Sequence, residues 1–257
     1  YKDDFLDSDN YHRILFNSGN ALQARELTQI QTFLQNQITM FGNNIFKEGA
    51  VVKPGGANLN QKYEFIKLNT ASNALPTDTS AFPGAIFTGA TSGVKVKCIE
   101  VVAATGGDPA TLYVQYIKTS SATASANTIR MTAGENISGA GTTLTVQTTN
   151  TTANPAVGTG LQATLKSGIY YARGHFVFTE DQSKIISKYS DSKDTDIGFK
   201  TLEEIVTTSD DNDLFDNQGA VPDVSAPGAD RYRIRLTIAE RSEVDSDENF
   251  IPVAEIR

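Results

Sequence analysis

Aspartates and glutamates supply most of the side chains in this sequence that could perform chemistry. The segment DDNDLFDNQG gathers Asp210, Asp211, Asp213 and Asp216. Clustered carboxylates are the hard oxygen ligands that calcium prefers, but the helix-loop-helix calcium loop needs glycine five residues after its first aspartate. Phe215 holds that position. We therefore interpret these aspartates as turn-forming residues of an acidic loop over residues 209–230.

Carboxylates are plentiful, and a glycosidase could draw its acid and nucleophile from them, with Glu180 and Asp181 as the pair to test. The chain contains no tryptophan to stack against sugars, and it lacks the repeated strand pattern of a β-helical enzyme. Its two histidines, His12 and His175, stand in segments that favour surface or pairing roles. We predict a protein that is not an enzyme, with no catalytic residue, no metal site and no cofactor.

Cys98 and a group of arginines have simpler interpretations. The alternating segment VKVKCIEVV predicts a strand in which the thiol of Cys98 is buried and inert. Arg231, Arg233 and Arg235 alternate with apolar residues, so that one strand face carries all three side chains. That face either contacts an acidic partner surface or is exposed to solvent.

The totals exclude some classes of partner. The net charge is −8 over 257 residues, which disfavours a broad grip on nucleic-acid phosphates. No segment approaches the roughly 20 apolar residues of a membrane-spanning helix, so we expect no membrane insertion.

One long amphipathic helix is predicted near the N-terminus, over residues 21–41. Asn20 is the expected N-cap, Gln23 the third residue of a capping box, and Gly42 the stop. Apolar residues recur at a spacing of three or four: Leu27, Ile30, Leu34, Ile38, Phe41 and Ile45. The opposite polar face carries uncharged side chains: Gln29, Thr32, Gln35, Asn36 and Thr39.

The rest of the chain favours a mainly β protein. Short alternating segments separated by Thr, Ser and Gly-rich turns predict a small antiparallel β-barrel or sandwich in the middle and a C-terminal antiparallel β-region that packs near the helix. The predicted segments are an N-terminal arm and assembly helix (1–50), a connecting strand (51–69), the β-module (70–166) and the C-terminal β-region (167–257).

The helix has two alternative interpretations. It either docks on its own domain or forms an assembly element whose glutamine-rich face is enclosed by partner subunits, because uncharged side chains are desolvated at lower cost than lysine or glutamate. We adopt the second. The predicted assembly residues are Arg25, Glu26, Leu27, Ile30, Leu34, Ile38 and Phe41.

The segment ILFNSGNALQARELTQIQTFLQNQITMFGNNIFKEGAVVKPG resembles the N-terminal signature of tail-fibre and baseplate-associated structural proteins of large contractile-tailed bacteriophages, particularly marine and cyanobacterial ones. The segments GIYYARGHFV, IGFKTLEEIVT and AVPDVSAPGADRYRIRLTI are similar to the C-terminal strands of that family. Together these regions cover both ends of the chain. Ser18 and Asn20 depart from the Pro and Arg expected in the turn.

This resemblance implies a structural subunit that anchors or forms a tail fibre at the baseplate. The implied partners are further copies of the chain, as a homotrimer, and other tail proteins, and the implied location is the virion after synthesis in the host cytoplasm. Two alternatives stay open. One is a receptor-binding module that contacts the host surface through the central β-module, and the other is a polysaccharide depolymerase.

Overall fold

A computed structural model describes residues 3–118, 130–216, 221 and 223–257. Within these residues the protein is mainly β, with one α-helix near the N-terminus and antiparallel sheets, which confirms the predicted fold class. Two compact units divide the chain. The first contains residues 1–57, 165–182 and 196–255, and the second contains residues 58–164, 183–195 and 256–257. The chain thus passes between the units several times, whereas the sequence predicts four consecutive segments.

Helix α1 (Ala24–Ile45) belongs to the first unit. The predicted start is wrong by three residues, because Gln23 is the N-cap and Glu26 closes the capping box. The predicted stop is also wrong: Gly42 lies within the helix, and the backbone N–H of Phe46 donates to the carbonyl of Gly42 at 2.8 Å. Helix α1 therefore continues for one more turn, which adds Ile45 to its apolar face.

The second unit is built on an eight-stranded sheet with the order β10-β7-β1-β4-β3-β2-β5-β6. Its strands, in chain order, are β1 (Gly56–Lys67), β2 (Ile86–Gly89), β3 (Lys95–Val102), β4 (Thr111–Lys118), β5 (Asn136–Gly139), β6 (Thr142–Thr145), β7 (Val157–Lys166) and β10 (Gln182–Ser187). The residues after β1 and β6 also pair, since Asn69 N donates to Thr145 O and Gln147 N donates to Lys67 O, both at 2.8 Å. This pairing closes six of the strands into a small antiparallel barrel, one of the two architectures that the sequence predicts. The barrel includes β1, which lies in the predicted connecting segment.

The barrel encloses the apolar side chains that alternate along its strands. In β3, Val96 and Cys98 are buried while Lys95 and Lys97 are exposed, which is the pattern of a strand with one face in the core. Phe82 and Phe87 pack edge to face with 5.3 Å between ring centroids. A buried glutamate fixes one turn: Glu135 accepts hydrogen bonds from the backbone N–H groups of Thr91 and Ser92, at 3.1 and 2.9 Å.

Three sequence predictions in this region are wrong or incomplete. The segment TIRMTAG has a strand-like pattern in the sequence, but its described residues, 130–134, form a turn, and residues 128–129 lie outside the described residues. The segment TSSATASAN (119–127), which predicts a turn, also lies outside them. Strands β5 and β7 were not predicted. The two glycines of β7 interrupt the alternation by which a strand is recognised.

The first unit contains three small antiparallel sheets beside helix α1. Its strands are β8 (Gly168–Ala172), β9 (His175–Thr179), β11 (Thr195–Val206), β12 (Phe215–Asp216), β13 (Asp223–Pro227), β14 (Arg231–Glu240) and β15 (Phe250–Ile256). Strands β14, β11 and β15 form one sheet, β12 and β13 a second, and β8 and β9 a third. The predicted loop over residues 209–230 therefore contains a short strand pair; residues 217–220 and 222 of that loop lie outside the described residues.

Strands β8 and β9 form a tight hairpin. The sequence instead predicts one strand through this region, with the turn at residues 180–182. Arg173 and Gly174 are the two central residues of the hairpin, and both have positive φ, 53° and 75°. Positive φ at both positions is typical of a two-residue type I′ turn, which matches the twist of the flanking strands. The hairpin presents Tyr171, Gly174 and Phe176 on the side where helix α1 lies.

Helix α1 approaches this hairpin closely at Gly42. A Cβ atom at this position would lie 2.5 to 2.7 Å from the ring and hydroxyl of Tyr171, so only glycine permits the contact. The hydroxyl of Tyr171 donates to Asn43 Oδ1 at 2.7 Å. Gly42 is buried for this reason, and its role is packing rather than helix termination.

We expect Gly42→Ala to destabilise the protein by about 1–3 kcal/mol, because the added methyl group overpacks the Tyr171 ring. Alanine alone would stabilise a helix by about 1 kcal/mol relative to glycine, so the sign of the change tests the contact. The measurement is the free energy of unfolding in urea, with Gln37→Ala at an exposed helix position as control. In a Tyr171→Leu background the cost of Gly42→Ala should fall sharply. A stabilising Gly42→Ala would contradict the packing role.

Candidate assembly surface on helix α1

The first turn of helix α1 is held by contacts within its own chain. The backbone N–H of Gln23 donates to Glu26 Oε2 at 2.9 Å, which completes the capping box. Arg25 donates from Nε to Gln23 Oε1 at 2.9 Å and from Nη1 to Asp4 Oδ2 at 3.1 Å. Two of the predicted assembly residues, Arg25 and Glu26, thus lie in the helix cap, where they fix the start of the helix.

The N-terminal arm, residues 3–16, covers the polar face of the helix. Asn36 Nδ2 donates to Asp7 Oδ1 at 2.6 Å. Gln29 and Thr32, two turns and one turn earlier, donate to Asp4 and Asp3 in the same way. Phe5 also packs its ring edge to face on Phe33, with 5.2 Å between centroids.

The β8–β9 hairpin occupies the neighbouring edge of the helix. Gln35 Nε2 and Thr39 Oγ1 donate to the carbonyl of Gly174 at 3.1 and 3.2 Å. The glutamine-rich face is thus contacted by its own chain, and its enclosure by partner subunits stays a prediction. Its uncharged side chains bind the arm and the hairpin of the same chain.

The apolar face of helix α1 is the part left exposed. Five of its side chains retain 45% to 67% of their accessible surface, and we call them the exposed seam: Leu27, Leu34, Ile38, Phe41 and Ile45. At about 100° per residue they fall within a stripe roughly 60° wide. Four of the five were predicted as assembly residues from their spacing. Ile30, also predicted, borders the seam and is half-buried. Ile45 belongs to the predicted apolar spacing but not to the predicted assembly residues.

A groove of about 650 Å³ lies between helix α1, strand β9 and strand β14. Its lining includes His175 and Tyr232. His175 Nδ1 lies 2.7 Å from the carbonyl oxygen of Arg173. Tyr232 donates to Glu203 Oε2 at 2.6 Å, and burial together with this carboxylate raises the pKa of Tyr232 to about 12. Both groups are thus engaged by neighbouring residues of the first unit.

Glu180 and Asp181, the carboxylates considered for a glycosidase, lie at a turn. Asp181 accepts from Ser167 N at 2.6 Å and from Lys166 Nζ at 2.9 Å, and these hydrogen bonds hold the pKa of Asp181 below its usual value. A carboxyl with a lowered pKa is ionised at neutral pH and is poorly suited to the general-acid step of glycoside cleavage. Glu180 is exposed beside it.

The acidic loop and the arginine strand also form local contacts. Thr207 donates to Asp210 from N and Oγ1, and Asp213 N donates to Asp211 Oδ1, which are the turns expected from the sequence. Among the described residues no group of three or more His, Cys, Asp or Glu side chains is arranged to hold a metal ion. On strand β14, Arg233 and Arg235 lie 2.7 and 2.8 Å from the carboxylate of Glu204.

The single cysteine lies inside the barrel of the second unit. Cys98 is fully buried in strand β3, as predicted, and burial raises the pKa of its thiol to about 11. The nucleophilic form of cysteine is the thiolate, so a thiol with this pKa is unreactive at neutral pH.

We expect Phe5→Ala to release the N-terminal arm from helix α1, because the Phe5 ring packs edge to face on Phe33 of the helix. A local loss of about 2 kcal/mol would speed proteolysis within residues 3–16 roughly 30-fold, while the global unfolding transition stays unchanged. Phe16→Ala, at an exposed aromatic residue, is the matched control. Equal cleavage rates in the two variants would show that the arm is not held by Phe5.

Comparisons with known proteins are limited to the N-terminal part of the chain. A family model described as Domain of unknown function (DUF4815) matches residues 1–105, a range that contains the arm, helix α1 and strands β1 to β3. No curated protein and no solved structure matches the chain. None of the helices in the described ranges has the length and apolar character needed to cross a membrane.

Proposed function

We propose that this chain is a structural, non-enzymatic subunit of a bacteriophage tail, which anchors or forms a tail fibre at the baseplate by assembly with other subunits. Its partners are further copies of itself, as a homotrimer, and neighbouring tail proteins. Its place is the virion.

The exposed seam is the observation that carries this proposal. Monomeric proteins rarely leave a contiguous apolar stripe along a helix, and such stripes mark interaction sites. Burying a side chain of this kind contributes about 1.5–3 kcal/mol, so covering five half-exposed ones yields roughly 5 kcal/mol per chain. Subunits of permanent structural assemblies are a class of protein in which such a surface is buried against other subunits.

The position of the seam supports the phage assignment. It lies in the segment that resembles the tail-fibre and baseplate family, where Ala24, Arg25, Glu26 and Leu27 fall within the motif. Arg25 and Glu26 hold the helix start, so the motif residues support the element that presents the seam.

The state of the polar residues is compatible with a structural role. Asp181, Asp210 and Glu204 have lowered pKa values because each accepts hydrogen bonds from neighbouring side chains or backbone. These carboxylates brace turns and a strand pair. Asp181, one of the two carboxylates considered for a depolymerase, thus braces a turn.

Immunogold labelling of purified virions tests the proposal. Antibody raised against the whole chain should label the baseplate or the fibre base of the phage that encodes it, and interruption of the gene should give particles that lack that part. Label confined to fibre tips would favour the receptor-binding alternative. Washed virions without the protein would refute the structural role.

A further inference from the structure

The exposed seam follows a heptad pattern that can be assigned position by position. With Leu34 at d, the d positions are Leu27, Leu34 and Phe41, and the a positions are Ala24, Gln31, Ile38 and Ile45. All seven are exposed in the single chain. Apolar residues at a and d are what a coiled coil buries, and the pattern is sustained from the first residue of helix α1 to its last.

The charge distribution favours an identical partner. Between Leu27 and Phe46 the sequence has no charged residue, although the whole chain has a net charge of −8. Two copies can therefore approach along this stretch without like-charge repulsion. Coiled coils that select a different partner do so chiefly through opposite charges beside the a and d positions, and those positions are uncharged here.

Gln31 is the one polar residue among the a and d positions, next to the five residues of the exposed seam. It discriminates between parallel and antiparallel packing of two helices. In a parallel, in-register pair it faces Gln31 of the partner copy, and two amides can donate to and accept from each other. In an antiparallel pair, where a positions face d positions, it faces an apolar residue such as Leu34 or Phe41, and a buried amide without a partner costs about 1–3 kcal/mol. An antiparallel offset that matches the two glutamines leaves Phe41 and Ile45 outside the contact.

The area of the seam is sufficient for association. Each seam side chain exposes roughly 100 Å², because about half of a large apolar side chain remains accessible. The contact between two copies would then bury about 1,000 Å² in total, at the lower limit for a specific interface.

From these observations we infer that the exposed seam is a homotypic interface, in which helix α1 packs parallel and in register against helix α1 of a second copy of this chain, with Gln31 facing Gln31. This inference rests on the proposed function in treating the helix as an assembly element, and it specifies the occupant, the direction and the register. It holds for a pair or for a trimer around one axis.

Sedimentation equilibrium of the full chain tests the occupant. The wild-type chain should have a multiple of the 27.7 kDa chain mass, and Ile38→Asp should weaken association about 100-fold or more, because burying a carboxylate at an a position is costly. Met40→Asp is the matched control, since Met40 and Ile38 are both 45% exposed, and Met40 lies about 130° around the helix from the seam. Circular dichroism should show both variants folded.

Disulfide trapping tests direction and register. In Leu27→Cys the two new thiols face each other in a parallel pair, whereas in the overlapped antiparallel pair they lie about 20 Å apart, at about 1.5 Å per residue. Mild oxidation should therefore link Leu27→Cys chains within minutes. Gln37→Cys, beside the seam, should link much more slowly, and the wild-type chain, with only buried Cys98, should remain unlinked.

The outcomes separate this inference from the proposed function. A monomeric wild-type chain, or equal loss of mass in Ile38→Asp and Met40→Asp, overturns the homotypic seam. An oligomer in which Leu27→Cys stays unlinked overturns the parallel register. Neither result changes the immunogold test, so a chain found in the virion but monomeric in solution would refute the homotypic seam and the homotrimer, while the structural role in the tail would stand.

Discussion

The close approach of Gly42 to Tyr171 determines which side of helix α1 faces outward. A helix can pack on a hairpin at many rotations about its axis, but only a residue without a side chain lets the Tyr171 ring lie against the backbone. Thr39 and Asn43, on the same edge of the helix, then bind the hairpin turn and the tyrosine hydroxyl. Because this edge is fixed, the polar face of the helix contacts the N-terminal arm, and the apolar face is exposed to solvent.

The N-terminal arm completes this division of the helix surface. Asp3, Asp4 and Asp7 accept hydrogen bonds from amide and hydroxyl side chains of the helix. The acidic arm therefore binds most of the helix through uncharged donors. This explains the unusual polar face in physical terms. Glutamine, asparagine and threonine are donors for the acidic arm, and the two charged residues of the helix, Arg25 and Glu26, are used at its cap.

Much of this arrangement could be predicted from the sequence, and particular residues show where prediction failed. The spacing of Leu27, Leu34, Ile38 and Phe41 predicted both the helix and its apolar face, because periodicity is a local property. Gln23 was missed as the cap because Ser, Thr, Asp and Asn are the usual caps. Gly42 resembled a stop because its true contact, Tyr171, lies 129 residues later in the sequence.

The position of the hairpin turn was not predicted, for a related reason. Arg173-Gly174 lacks the Asn-Gly or Asp-Gly signature by which two-residue turns are recognised, and arginine at positive φ is uncommon. Its backbone N–H donates to both carboxylate oxygens of Glu48 at 3.1 Å, a contact that supports the turn from another part of the chain. Tertiary contacts of this kind decide local conformation here, and a single sequence does not reveal them.

The exposed seam raises the question of why a chain with two well-packed units leaves its longest helix half-covered. The arm and the hairpin contact the faces of the helix that carry hydrogen-bonding groups. The a and d positions stay exposed to solvent. Such a helix is held in place before any partner arrives, so association does not have to pay for ordering it. Most of the roughly 5 kcal/mol available from the seam can then contribute to assembly, which makes a narrow stripe of five side chains adequate where an unanchored helix of the same sequence would be marginal.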